Sequence, residues 1–173
     1  MFDPTAFENM KVILEGALYD LDLRGEIVII DRNDVLNMAK LSRCFDLSFT
    51  LANNEDQPVI AKFRLQSELK NFAAELLPDS LMKSFAGSYI NLEFSLPQQQ
   101  ERADYDDIAE ILTEIWGANR KITIRTVMDQ LTGHFEKSIA AIEFTRLIRE
   151  EQMEDLVEMI NFMKTTLHRL QSL

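Results

Sequence analysis

The sequence predicts an α+β protein in which helices cover an antiparallel sheet of about four or five strands. Apolar and polar residues alternate at 45–51, 59–65 and 90–96, as in strands that bury one face. Apolar residues recur at helical spacing at 4–17, 68–77 and 104–116, and these segments can cover the sheet. With 46% hydrophobic and 27% charged residues, the composition is that of an ordinary globular protein.

The first helix is predicted to start at Asp3-Pro4, because Asp is a good N-cap and Pro suits the first helical position. It is expected to reach about residue 17. Residues 18–23 are open to two interpretations, the end of this helix or a strand that turns at Arg24-Gly25 into 26–30. Residues 31–41 are predicted to form a short helix capped by Asn33 or Asp34, with the apolar positions Val35, Leu36, Met38, Ala39 and Leu41.

The middle of the chain predicts a hairpin, because the alternating segments 45–51 and 59–65 flank a polar loop. A helix over 68–77 follows and is ended by Pro78. A further turn or two at 79–85 then leads to the third strand, 90–96.

The polar run 98–102 is the best candidate for a boundary. It divides the chain into a sheet region, 1–97, and a mainly helical region, 98–173, which we expect to pack together as one globular unit. Asp104 can cap the first helix of the second region. Residues 121–125 form either a short strand or the extended start of the next helix.

The last predicted helix carries an apolar stripe with the spacing of a coiled-coil heptad. Its members are Met153, Leu156, Ile160, Met163, Leu167 and Leu170. Phe135, Ile139 and Ile142 fall in the same register, so the C-terminal third as a whole is predicted to be helical. Arg146 and Arg149 occupy stripe positions, where a charge needs a carboxylate partner.

Charge and motifs exclude several classes of function. A net charge of −11 argues against binding to a nucleic-acid backbone or to anionic lipid. The segment Met1-Phe2-Asp3-Pro4 lacks the basic and apolar parts of a secretory signal, and no apolar run is long enough to span a membrane, so a cytoplasmic protein is expected. The five glycines are scattered singly and form no phosphate-binding loop, so no cofactor is expected.

Few residues suggest catalysis. Cys44 with a distant His134 or His168 is the only nucleophilic pairing available, and a lone cysteine is more often a small buried residue. Two sets of carboxylates could hold a hard divalent cation, although a solvated face and turn or cap chemistry explain them more simply. They are Asp106, Asp107, Glu110 and Glu114 in one helix, and Asp20, Asp22, Asp31 and Asp34 near the N-terminus.

The leading functional hypothesis is a non-enzymatic interaction protein: an adaptor, regulator or chaperone-like module. We expect it to form a homodimer or bind a protein partner through the C-terminal stripe, with Leu156 and Ile160 as anchors. The alternative for the stripe is packing within the chain, on its own sheet or on the 104–116 helix. The other functional hypotheses are a small metal-assisted hydrolase and a sensor that binds a small molecule between sheet and helices. The size, acidic charge and mixed α and β content are similar to those of small secretion chaperones, with no motif in common.

Overall fold

The computed structural model describes residues 6–53, 56–77, 83–97 and 103–173, the side chains of 103 and 104 excepted. The helices are α1 (Ala6–Leu23), α2 (Leu69–Leu76), α3 (Ala103–Trp116) and α4 (Met153–Gln171). The strands are β1 (Ile27–Asn37), β2 (Ser42–Leu51), β3 (Ile60–Ser67), β4 (Tyr89–Pro97), β5 (Lys121–Met128) and β6 (Phe135–Glu143). Two single 3-10 turns lie at Lys83–Phe85 and Glu150–Gln152.

All six strands form one antiparallel sheet in the order β1-β2-β3-β4-β6-β5. Neighbours in the sequence pair directly except where α3 and β5 intervene between β4 and β6. Within the described residues the two edge strands are therefore β1 and β5.

The core lies between one face of this sheet and three helices. Alternate residues of β2, β3 and β4 are buried there, led by Phe45, Phe49, Phe63 and Phe94. In the helical layer, α4 contacts both α1 and α3, and it also packs on β2 and β3 of the sheet. Burial of large apolar side chains stabilises such a two-layer arrangement by about 1.5–3 kcal/mol each.

The predicted α+β class is confirmed, with six strands where about four or five were expected. The three alternating segments are β2, β3 and β4, and the helices expected at 68–77 and 104–116 are α2 and α3. Residues 18–23, left open above, belong to α1, where Leu18 and Leu21 are buried. The predicted cap at Asp3-Pro4, the helix end at Pro78 and the connector 98–102 lie outside the described residues.

The short helix predicted at 31–41 is wrong, because these residues form the outer part of β1 and its turn into β2. The Asn37 side chain accepts hydrogen bonds from the backbone N–H groups of Ala39 and Lys40, both at 3.1 Å, which closes the turn. Leu41 takes a positive φ of 51° at the end of this turn. Asn33, Asp34, Val35 and Asn37 have low helix propensity, and this was the signal that the apolar spacing concealed.

The helix predicted for the C-terminal third is wrong at 135–143, because these residues form strand β6. Ser138, Ala140 and Ile142 alternate on the buried face, while Ile139 and Ala141 lie on the other. Ile139 and Ile142 fit a helical spacing only by coincidence. The expected boundary at 97/98 does not divide the sheet, since β6 of the second region pairs with β4 of the first.

Candidate interaction surface

The stripe predicted to bind a partner lies inside the molecule. Leu156, Ile160, Met163, Leu167 and Leu170 are at most 2% exposed, and Met153 is half-buried against the same core. The stripe therefore follows the second interpretation, packing within the chain. Side chains enclosed by their own core are not free to contact a second chain in this fold, so an interface must use other residues.

The two stripe arginines have a different setting from the expected one. Arg146 and Arg149 lie in the segment between β6 and α4, outside any α-helix, and both are exposed. They therefore do not place charge in a helical seam, and neither needs a carboxylate from another chain to offset such a charge.

The carboxylates do not assemble into a site. Asp106, Asp107, Glu110 and Glu114 are exposed on α3, and Glu114 accepts a hydrogen bond from Arg169 at 2.5 Å. In the described ranges no three His, Cys, Asp or Glu side chains converge as metal ligands.

The N-terminal set is divided between elements. Asp20 and Asp22 lie on helix α1, and Asp31 and Asp34 lie on β1. Asp22 accepts a hydrogen bond from the backbone N–H of Ile29, and Asp34 binds Lys11, so these two groups serve the local structure.

Cys44 is half-buried on β2. Burial raises the pKa of its thiol, and the nearby Arg64 only partly opposes this. Because the thiolate is the nucleophile, such a shift lowers reactivity. His134, in the turn before β6, and His168, on α4, are both exposed.

The β1–β2 hairpin carries the feature that the sequence analysis missed. Six large apolar side chains within residues 28–41 are between 44% and 71% exposed. We call this set the hairpin surface: Val28, Ile30, Val35, Leu36, Met38 and Leu41. The set spans both faces of the hairpin, since Val35 and Leu36 are successive strand residues and point to opposite sides. Several large apolar side chains exposed on one element favour a site that contacts another molecule. A helix prediction placed several of them on a buried face, and the hairpin exposes them.

Ion pairs hold the hairpin against α1. Lys11 of α1 lies 2.8 Å from Asp34 and 2.9 Å from Glu8, and Arg43 of β2 pairs with the same Glu8. Burial would lower the pKa of Lys11, but its hydrogen bonds to Asp34 and Glu8 outweigh that effect and raise it. Because these charges are partly shielded from water, the ion pairs help to fix the position of the hairpin relative to α1.

The outer edge of β1 is blocked at one end and open along the rest. The N–H of Ile29 donates to Oδ1 of Asp22 at 3.3 Å, and a bulge interrupts the ladder between Ile29 and Asp31. Bulges and side-chain blocks protect sheet edges against pairing. From Asp31 to Asn37 the ladder with β2 is regular, and no described segment pairs with its outer side.

A second feature is a cavity of about 190 Å³ between the ends of α3, β6 and the side of α4. Trp116 packs edge-on against Phe144 and Phe162, with ring centroids 6.1 Å and 5.8 Å apart. The guanidinium of Arg120 lies 4.7 Å from the Phe144 centroid. Trp116 is fixed by a 3.0 Å hydrogen bond from Nε1 to Oγ1 of Thr166.

Comparison with known proteins gives no match to a family model, a curated protein or a solved structure. None of the helices in the described ranges has an eighteen-residue stretch apolar enough to span a lipid bilayer.

Proposed function

We propose that this chain is a non-enzymatic, cytoplasmic protein-interaction module that contacts another protein through the β1–β2 hairpin. The observation that carries the proposal is the hairpin surface, where six large apolar side chains are exposed on one edge hairpin. Burying one such side chain against a partner is worth about 1.5–3 kcal/mol, so a few of them suffice as anchors.

The backbone of β1 adds a second means of recognition. An unpaired edge strand offers a row of N–H and C=O groups that an extended segment of another chain can complete. Apolar side chains beside that edge then provide contacts that depend on the partner's sequence. The combination supports binding by strand addition, with the hairpin surface supplying anchors for side chains.

The test is a comparison of binding by variants that keep the fold. Leu36→Ser with Met38→Ser removes the two most exposed anchors of the hairpin, which are 56% and 71% exposed. The matched control is Leu131→Ser, which removes an even more exposed leucine (97%) far along the chain, between β5 and β6.

Each variant is immobilised and exposed to native cytosol, and the retained proteins are quantified. We expect proteins held by the wild type and by Leu131→Ser to be lost from the hairpin variant. Retention of the same proteins by all three forms would contradict the proposal.

A second candidate function is a sensor for a small ligand, favoured by the aromatic cavity. Its volume of about 190 Å³ is below the roughly 300–1,000 Å³ of drug-sized ligand pockets. It suits a small apolar or aromatic group near the cation of Arg120. A thermal-shift screen of the wild type against Phe162→Ala would identify such a ligand, because a bound compound stabilises only the form with an intact cavity.

A further inference from the structure

We infer that the occupant of the β1 edge is a second copy of this chain, paired antiparallel with β1 about a two-fold axis at Asn33. This inference rests on the proposed function, since it names the partner of the same surface. It would join two sheets of six strands into one continuous sheet with the helices of both copies on the same side.

Strand geometry leaves few ways to pair two identical edges. In an antiparallel pair, residues directly opposite one another lie on the same face of the sheet. A two-fold axis perpendicular to the sheet must therefore pass through a position that faces its own copy. In the regular ladder from Asp31 to Asn37, the interior positions that can hold the axis are 32 to 36.

Charge selects among these five registers. Centring on Val35 or Leu36 places Asp34 opposite an apolar residue and forms no ion pair between the copies. Centring on Arg32 places two guanidinium groups opposite each other, and centring on Asp34 places two carboxylates opposite each other. Like charges directly opposite destabilise a strand pair. Centring on Asn33 places Arg32 of each copy opposite Asp34 of the other, which forms two attractive pairs and no repulsive one.

The existing ion pairs extend this complementarity. Within one copy Arg32 is bonded to Glu15, and Asp34 is bonded to Lys11. Pairing about Asn33 would bring these two ion pairs together in one row of four charges. Glu15 and Arg32 of one copy would be followed by Asp34 and Lys11 of the other, so that negative and positive charges alternate. Networks of this kind contribute more than isolated surface pairs.

The same register covers apolar side chains at both ends of the paired stretch. Asp31 of each copy falls opposite Val35 of the other, and Leu36 follows at the end, level with the bulge at Ile30. Val35 and Leu36 are 52% and 56% exposed in the single chain, and the pairing would cover part of both. Two residues of the hairpin surface thus flank the charged centre.

Disulfide trapping tests both the partner and the register. Cys44 is first replaced by Ser, so that each variant has one engineered thiol. Asn33→Cys then places a thiol opposite its own copy, within the Cα separation of about 4.4–6.8 Å that a disulfide requires. Under mild oxidation we expect a covalent dimer to form about a hundredfold faster than for Met38→Cys, because the paired thiols react at a high effective concentration.

The register has its own test. Asp31→Cys and Val35→Cys are each opposite a residue without a thiol, so neither protein alone should cross-link. A mixture of the two should form the mixed dimer, because only the Asn33 register brings these positions together. Circular dichroism checks that all variants keep the fold. Asn33→Ser controls for the lost hydrogen bonds from Asn33 to Asp31 (2.9 Å) and to Asp46 (3.0 Å).

The outcomes separate the two proposals. Failure of Asn33→Cys to dimerise, or cross-linking of the single variants as fast as the mixture, would overturn the inference of a paired second copy. If Asn33→Cys instead becomes disulfide-linked to a different protein in cytosol, the second copy is excluded while the interaction function is retained. If Asn33→Cys forms the covalent dimer and the wild type retains no other protein from cytosol, the function is limited to self-association.

Discussion

Replacing Leu156 by Ala distinguishes a core helix from an interface helix. Leu156 is fully buried (0% exposed) between α4 and its neighbours, within the core cluster of the chain. Removing its branched end loses apolar burial and leaves a cavity, which together cost about 3 kcal/mol at a site of this kind. For a chain of this length the loss corresponds to a Tm about 9 °C lower.

The measurement is urea unfolding followed by circular dichroism, with the molecular mass from light scattering in parallel. Val157→Ala is the matched control, since the next residue of the same helix is 39% exposed and its change should stay within about 0.5 kcal/mol. We expect Leu156→Ala to lower the free energy of unfolding with the mass unchanged. A stable variant of reduced mass would refute the reasoning, because α4 would then be holding two chains together.

Two further predictions concern the backbone and the ion pairs. Gly87→Ala should destabilise by about 2 kcal/mol or more, because φ is +141° and the new Cβ would lie 2.5 Å from the Ile148 carbonyl oxygen. Gly16→Ala, in α1 with open space around it, should instead stabilise by about 0.5–1 kcal/mol in the same unfolding assay, and equal effects at the two sites would contradict this. Burial would raise the pKa of Glu8, but hydrogen bonds from Lys11 and Arg43 hold it below its ordinary value of 4.5. Its stabilisation is therefore present above pH 4.5 and lost as the pH falls through the folded-state pKa, so Glu8→Gln should weaken the protein more at pH 7 than at pH 3, and an equal loss at both values would refute the assignment.

The elements that could be predicted from the sequence are those whose periodicity has one interpretation. Strands β2, β3 and β4 alternate over long stretches, and α3 has an apolar stripe that ends before Gly117. In these segments local pattern and tertiary burial agree, and Ile108, Ile111 and Leu112 are buried as expected. Helix α2 forms where it was expected, but it buries Asn71 and Ala74 and leaves Leu69 and Leu76 exposed.

The elements that could not be predicted are those in which the pattern is short or ambiguous. In β1 the outer residues are exposed, so their apolar positions follow no burial pattern that a sequence would show. In β6 the small Ala140 and Ala141 lie on opposite faces of the sheet, and pairing with β4 and β5 on both sides decides the conformation.

The burial of the C-terminal stripe within its own chain could not be predicted either. A heptad stripe indicates that a helix is apolar along one side, but it does not say whether the covering surface belongs to the same chain. The missing information was the position of α4, which packs on β2 and β3 and contacts both α1 and α3.

Hydrogen–deuterium exchange on the wild type tests the hairpin interface most directly, because the opposite edge strand β5 serves as an internal control. Amide exchange is followed at increasing protein concentration, and peptides covering 31–37 are compared with peptides covering 121–128. We predict that exchange slows with concentration in 31–37 and stays constant in 121–128. Exchange at 31–37 that is as fast as in dilute protein, both at high concentration and with cytosolic extract added, would contradict the account.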